Sequence, residues 1–364
     1  MHIKHCADFL SLKPEEVVHS SVPYVSIQQL VGRIVLHSHL EGSVPATSLR
    51  KIADRNGVEL PFDLEPAKMC RHVYNKGWPA FISIYNAIAS CFQQAEDFRD
   101  SLCDYATVLC TQGVAYAEIY CTPWLHMCRG VSLSHIAHGL QAAVMWSREN
   151  LPTDIRILVD LMRSREEPAT DIVDWFLRLP ADIFVGLGLT GGPDSVPLDS
   201  YQEVSQRVRS ARRGLVVHAG ELEGPHSVRE AIYTLHANRI GHGLRLLEDP
   251  SLADEISTLD VHFELCPSSN RQLVTQLNLP CLIERFNQMG FSISINPDDE
   301  LIFNTSALDE ILWVLMHTCL SLPDLFRMQR DAAKWAFADQ ATKNELIWTF
   351  DEEGCSLAST NGGP

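Results

Sequence analysis

Two histidines separated by one residue, His37 and His39, close the apolar run RIVLHSHL at 33–40. Residues i and i+2 of a strand project to the same face, so the two imidazoles point together. Burying two imidazoles is costly without a partner, and ligation of a metal by neutral imidazole supplies one. Later runs end in the same manner. LVVHAGE (215–221) ends on His218 and places Glu221 three residues on, RIGHG (239–243) carries His242, and FSISINPDD (291–299) closes on the adjacent carboxylates Asp298 and Asp299. Three histidines and one aspartate drawn from the first, fifth and eighth runs make a mononuclear zinc site with a position left for water, whose pKa such an ion brings to about 7.

The elements that would position these side chains are eight short runs rich in Val, Ile and Leu. Besides the four above they are AYAEIYCTP (115–123), IRILVDLMR (155–163), FVGLGLTGG (184–192) and HFELCPSSN (262–270). Near-continuous apolar runs read as strands buried on both faces, and segments of helical period separate most of them. Alternation of this kind predicts an α/β fold, a closed parallel (β/α)8 barrel (TIM barrel), in a single domain spanning 1–364. The polar clusters all fall at the C-terminal ends of strands, where barrel enzymes build their sites. About 75 residues separate the first two strands, and Pro45 to Gln112 is largely helical in pattern. This segment is read as an insertion over the barrel mouth, with Trp78, Phe81 and Tyr85 as candidates for an apolar lid, although such stripes are more often core packing. Capping boxes are expected at Asp199/Gln202 and Ser227/Glu230. After Leu308 two or three further helices are expected, 1–30 is read as an extension before the barrel, and the tail 356–364 is expected to be disordered.

Composition bounds the partners. A formal charge of −17 disfavours nucleic acid and anionic membrane surfaces. No apolar run reaches the roughly 18 residues of a membrane span, and no signal peptide is evident. Eleven scattered cysteines without a CxxC pair read as reduced thiols of a cytoplasmic protein. The absence of P-C-x-x-C excludes the other class of zinc deaminase, although His262-Phe263-Glu264 matches its H-x-E half by chance.

Taken together, LHSHLEGS, HAGE, RIGHG, CPSSN and NPDD resemble the successive signatures of the adenosine deaminase family, within the amidohydrolase superfamily, from about residue 33 to 305. The resemblance implies one zinc ion per chain held by His37, His39, His218 and Asp298. It implies Glu221 as proton shuttle between water and purine N1, and His242 as the residue orienting the attacking water. Asp299 would act on water and on purine N7 as a protonated donor, and Gly191 would offer its backbone N–H to the ring. His39 and Glu41 would border the substrate. The stretch GLGLTGGPD ending the fourth strand has no lysine, which disfavours a second metal.

The chain departs from that pattern where substrate would lie. Glu41 stands where many adenosine deaminases carry aspartate, a position the resemblance places near the sugar. A carboxylate there would repel phosphate, and the longer side chain is either a neutral exchange or fills ribose space, as the adenine and aminodeoxyfutalosine deaminase branches suggest. Gly188 and Pro297 also depart from the usual pattern. The leading expectation is deamination of adenosine or a close adenine nucleoside, with adenine deaminase or aminodeoxyfutalosine deaminase activity as the alternative. An amide or ester hydrolase and a non-catalytic binding protein stand behind these. Ser268, Ser269 and Asn270 are expected to fix a loop near the site, Cys266 to pack, and His72, His126, His135, His138, His226, His236, His262 and His317 to be structural or exposed.

Overall fold

The computed structural model describes residues 34–192 and 195–348. The expected N-terminal extension and C-terminal tail lie outside the described residues. Eight strands follow one another in parallel order: β1 (Ile34–His39), β2 (Tyr116–Cys121), β3 (Asp154–Leu161), β4 (Phe184–Leu189), β5 (Gly214–Ala219), β6 (Arg239–His242), β7 (His262–Leu265) and β8 (Ser292–Ile295). Nearly every strand residue is buried, as expected when helices cover one face and the barrel interior fills the other. The ring closes through a parallel bridge between Ser38 and Asp298, with His39 N–H donating to the Asp298 carbonyl at 2.9 Å and Asp298 N–H to that of His37 at 3.2 Å. Closure of the barrel therefore fixes His37, His39 and Asp298 relative to one another through their own main chains.

Helices Ala46–Asn56, Pro66–Lys76, Trp78–Ala89 and Ala95–Thr111 fill the long segment after β1. Helices Ala307–His317 and Leu322–Trp335, and a last helical stretch at 340–348, follow β8. The bottom of the barrel is plugged by the Phe337 ring, which packs against Gly186 and Gly214 where a Cβ would collide with it. Above that plug runs a fully buried charge network. Arg239 lies 2.6 Å from both Glu118 and Glu264, stacks over Phe337 at 3.9 Å, and donates to the Trp335 carbonyl.

The expected capping boxes are not formed. Asp199 lies within a 3-10 turn, Leu198–Tyr201, and the α-helix starts afterwards at Gln202, so the three-residue spacing spans a junction. Pro225 takes the first helical position after Gly224, as its fixed φ and missing N–H favour, and leaves Ser227 inside the helix. There its hydroxyl accepts from Gly220 N–H and donates to the Gly224 carbonyl. A reciprocal box occurs instead at Ser321/Asp324.

Candidate active site

The cluster sits at the C-terminal rim of the barrel. His37 Nε2, His39 Nε2 and Asp298 Oδ1 form a triangle with all three sides 3.4 Å. A tetrahedral ion with bonds of about 2.05 Å has ligand–ligand edges of about 3.3 Å, so the triangle has the dimensions of one face of such a shell. The His218 ligand nitrogen lies within 4.8 Å of those of His37 and His39. His37 Nδ1 faces Glu264 Oε2 at 2.8 Å. A proton shared there leaves the His37 Nε2 lone pair facing a carboxylate and a second imidazole, an arrangement that calls for a cation. Burial lowers the basicity of His37, but hydrogen bonds to Asp298 and Glu264 overcome it and raise its pKa to about 9. The donor set therefore fits a divalent metal. His242 and Cys266 also lie in reach of His37 and Asp298, but burial pushes the Cys266 thiol well up, which makes it a poor ligand.

Glu264 ties this site to the network below. One of its oxygens holds His37 and the other faces Arg239. Such a partner fixes the ring and raises its basicity as a ligand. Glu264→Gln is expected to weaken divalent metal affinity about 10–100-fold, read by competition with a chelator, and unchanged affinity would remove the carboxylate from that role.

Glu221, His242 and Asp299 line the same cavity. Burial and the Asp298 charge push the Glu221 carboxyl up to about 8, with His37 opposing. Burial, aided by His37, lowers His242 to about 4 against Asp298 and Asn270, so its ring is neutral. The Asn270 amide donates to Nδ1 at 3.2 Å, which leaves the proton on Nε2, 3.6 Å from Glu221. His242 and Asp298 have φ of +63° and +64°, a region costly for non-glycine residues and concentrated at functional sites. Burial, with the Asp298 charge second, holds Asp299 well above the usual carboxylate range.

Asp299 owes its position to Gly42, whose absent Cβ would lie 1.7 Å from Asp299 Oδ1. Gly42→Ala is expected to displace that carboxyl and lower kcat/KM about 100-fold, the usual order for a misplacement of 1 Å, while metal content is retained. Equal kcat/KM in steady-state assays would show that Asp299 tolerates the shift.

The cavity, about 590 Å³ with its mouth, is walled further by Trp78, Phe81, Ile82, Tyr85 and Leu273, so the three aromatics proposed for a lid do face it. Gly191 and Gly192 border it, and a Cβ on Gly192 would meet the Trp78 ring at 2.8 Å. Glu41 is placed differently from expectation. It is fully buried behind the wall, and its carboxylate accepts from His126 Nε2 at 2.9 Å, Thr122 N–H at 3.0 Å and Tyr85 Oη at 3.3 Å. His126, which had no evident partner in the sequence, is thus the partner of Glu41. Glu264, Arg239, Asp160 and Thr190 were also missed. Glu264 had a signal in H-F-E, dismissed as accidental, and the others lie in runs whose pattern gives them no distinction.

A parallel eight-stranded barrel with a histidine–aspartate cluster that could hold a metal ion, and a buried carboxyl beside it at the upper rim, is the arrangement of a metal-dependent hydrolase. The Adenosine deaminase family model matches residues 33–353, and the chain belongs to that family as a metal-dependent aminohydrolase. Adenine deaminase of Paraburkholderia xenovorans is 27% identical over 340 residues, covering 91% of this chain and 96% of that protein. Adenine deaminase of Rhodospirillum rubrum is 30% identical over 322 residues, covering 86% and 94%. Among solved structures, adenine deaminase from Arthrobacter aurescens superposes with a TM-score of 0.78 at 27% identity, covering 88% of this chain and 98% of that one. An amidohydrolase from Burkhoderia ambifaria with bound Zn shares the fold, with a TM-score of 0.82 at 20% identity over 94% and 97% of the two chains. No helix among the described residues is long and apolar enough to cross a membrane.

Proposed function

We propose that this chain hydrolyses the 6-amino group of free adenine, releasing ammonia and the 6-oxo purine, with one zinc ion per chain. Adenosine, the leading expectation from sequence, becomes second. The observation that carries this reading is the state of Glu41. The side chain expected to meet a sugar is occupied by His126, Thr122 and Tyr85 behind the wall, and the mouth is lined by aromatic and aliphatic groups. The adenine deaminases among the relatives support the same order. No Lys or Arg is among the described cavity-lining residues, so none of them offers a nucleotide phosphate a cationic anchor.

His37, His39, His218 and Asp298 would hold the ion, which supplies the acidity that brings water to hydroxide near neutral pH. Glu221 takes the proton from the attacking water and delivers it to N1 as the oxygen bonds to C6. Its raised pKa suits both halves of that transfer. The His242 Nε2–H donates to the attacking oxygen and stabilises its charge. Asp299, kept protonated by burial, donates to N7, and the Gly191 N–H meets N3. Collapse of the C6 adduct then expels the amine, which leaves as ammonia after taking the proton of the new C6 hydroxyl, leaving the 6-oxo purine. Steady-state ammonia release from adenine, adenosine, AMP and 6-amino-deoxyfutalosine tests the reading, with adenine expected to show the highest kcat/KM. A tenfold preference for adenosine would overturn it.

A further inference from the structure

We infer that Asp160, at the end of β3, is a specificity-determining residue whose carboxylate accepts the N9–H of the free base. The inference rests on the adenine reading above. Asp160 is 1% exposed yet lines the cavity. Thr190 Oγ1 donates to its Oδ1 at 2.6 Å and Thr122 Oγ1 to its Oδ2 at 3.1 Å. These bonds pin the carboxylate between β2 and β4 and leave each oxygen a further lone pair. No lysine or arginine among the described residues forms an ion pair with it. A buried carboxylate without a counter-charge is costly unless donors meet it, and the face toward the cavity still has acceptor capacity.

The order of the strands says which part of a purine that face meets. Around the ring the nitrogens run N1, N3, N9, N7. In the mechanism proposed above, Glu221, after β5, meets N1, Gly191, after β4, meets N3, and Asp299, after β8, meets N7; all three line the cavity. The remaining nitrogen, N9, then faces the arc of β3, β2 and β1. On that arc the Thr122 hydroxyl already donates to Asp160, the Tyr85 hydroxyl donates to Glu41, and His39 faces the metal triangle. These hydroxyls can still accept, but Asp160 is the one carboxylate among the described cavity-lining residues on that arc, and a charged acceptor makes the stronger bond to an N–H. Burial, with the Glu41 charge adding, pushes its carboxyl up to about 7 against the two threonine bonds, as expected of a group still short of donors. Free adenine presents N9–H as a donor, whereas a nucleoside carries carbon at N9, offering no donor and bulk instead. A site built to pair a substrate N–H rejects the analogue lacking it, because its own buried group is left unpaired.

The test compares adenine with 9-methyladenine in wild type, Asp160→Ala and Asp160→Asn, with metal content and Tm recorded. Wild type is expected to favour adenine at least tenfold in kcat/KM. Asp160→Ala should lower kcat/KM for adenine about 10–100-fold, the order of one hydrogen bond to a charged group, mainly through KM. Its loss on 9-methyladenine should be smaller, bringing the ratio toward one. Asp160→Asn preserves shape and one acceptor oxygen, so its ratio should fall between the two, which keeps the test decisive if the Ala variant does not fold. Equal losses on both substrates, or an unchanged ratio in Asp160→Asn, would overturn the role of Asp160 while leaving adenine deamination standing. A wild type that acts on adenosine and not on adenine would overturn the adenine reading, and this inference with it.

Discussion

Glu221→Gln is expected to lower kcat for adenine by about 10²–10⁴, the usual range for loss of a positioned general acid–base group, while metal content and fold are retained. Glutamine keeps the shape and the contact with His242 but neither takes a proton from water nor gives one to N1. The pH profile distinguishes this from simple misplacement. Glu221 must be ionised to act as base, so below its pKa the wild-type rate falls about tenfold per pH unit. That acidic limb should be missing from the residual activity of Glu221→Gln. A variant that kept both the limb and a substantial share of kcat would assign the proton transfer to another group, and Asp299 would be the next to examine.

Arg239→Met is expected to destabilise the fold by about 3–5 kcal/mol, the cost of removing one partner from a buried ion pair. The guanidinium is fully buried and lies 2.6 Å from both Glu118 and Glu264, which are themselves fully buried. Burial opposes its charge, but Glu118 and Glu264 hold its pKa far above the usual arginine value. Denaturant midpoints measure the loss, and the double variant Glu118→Gln/Arg239→Met should recover part of it by removing one of the stranded carboxylates. Because Glu264 also holds His37, Arg239→Met should weaken metal binding too. A midpoint shift worth less than about 1 kcal/mol, the scale of exposed pairs, would show that the network contributes little.

The convergence of the histidines and Asp298 at the barrel rim could be anticipated from sequence because each sits at an end of a recognisable strand. A strand buried on both faces is an apolar run, and a polar residue closing it stands out, as His218, His242 and Asp298 do. Glu264 and Asp160 are equally polar interruptions, but a single carboxylate in a strand gives no indication of its partner. His37 and Glu264 are 227 positions apart and meet at 2.8 Å only because the barrel closes. The capping boxes failed for a related reason. Asp199 and Ser227 had suitable spacing, but Pro197, Gly224 and Pro225 set where the helices begin.

What the chain alone determined was the order of eight strands, the upper-rim position of the histidines, Glu221 and the paired aspartates, and hence the class of chemistry. Local hydrophobic periodicity encodes these, since each strand must be apolar to be buried whichever neighbours it acquires. Tertiary structure alone decided that Glu41 turns from the cavity to His126, that Asp160 turns toward it, and that Arg239 links Glu264 to the barrel floor. Those outcomes depend on which side chains share a closed interior, where a buried polar group must find its partners across long stretches of chain because burial removes its solvation.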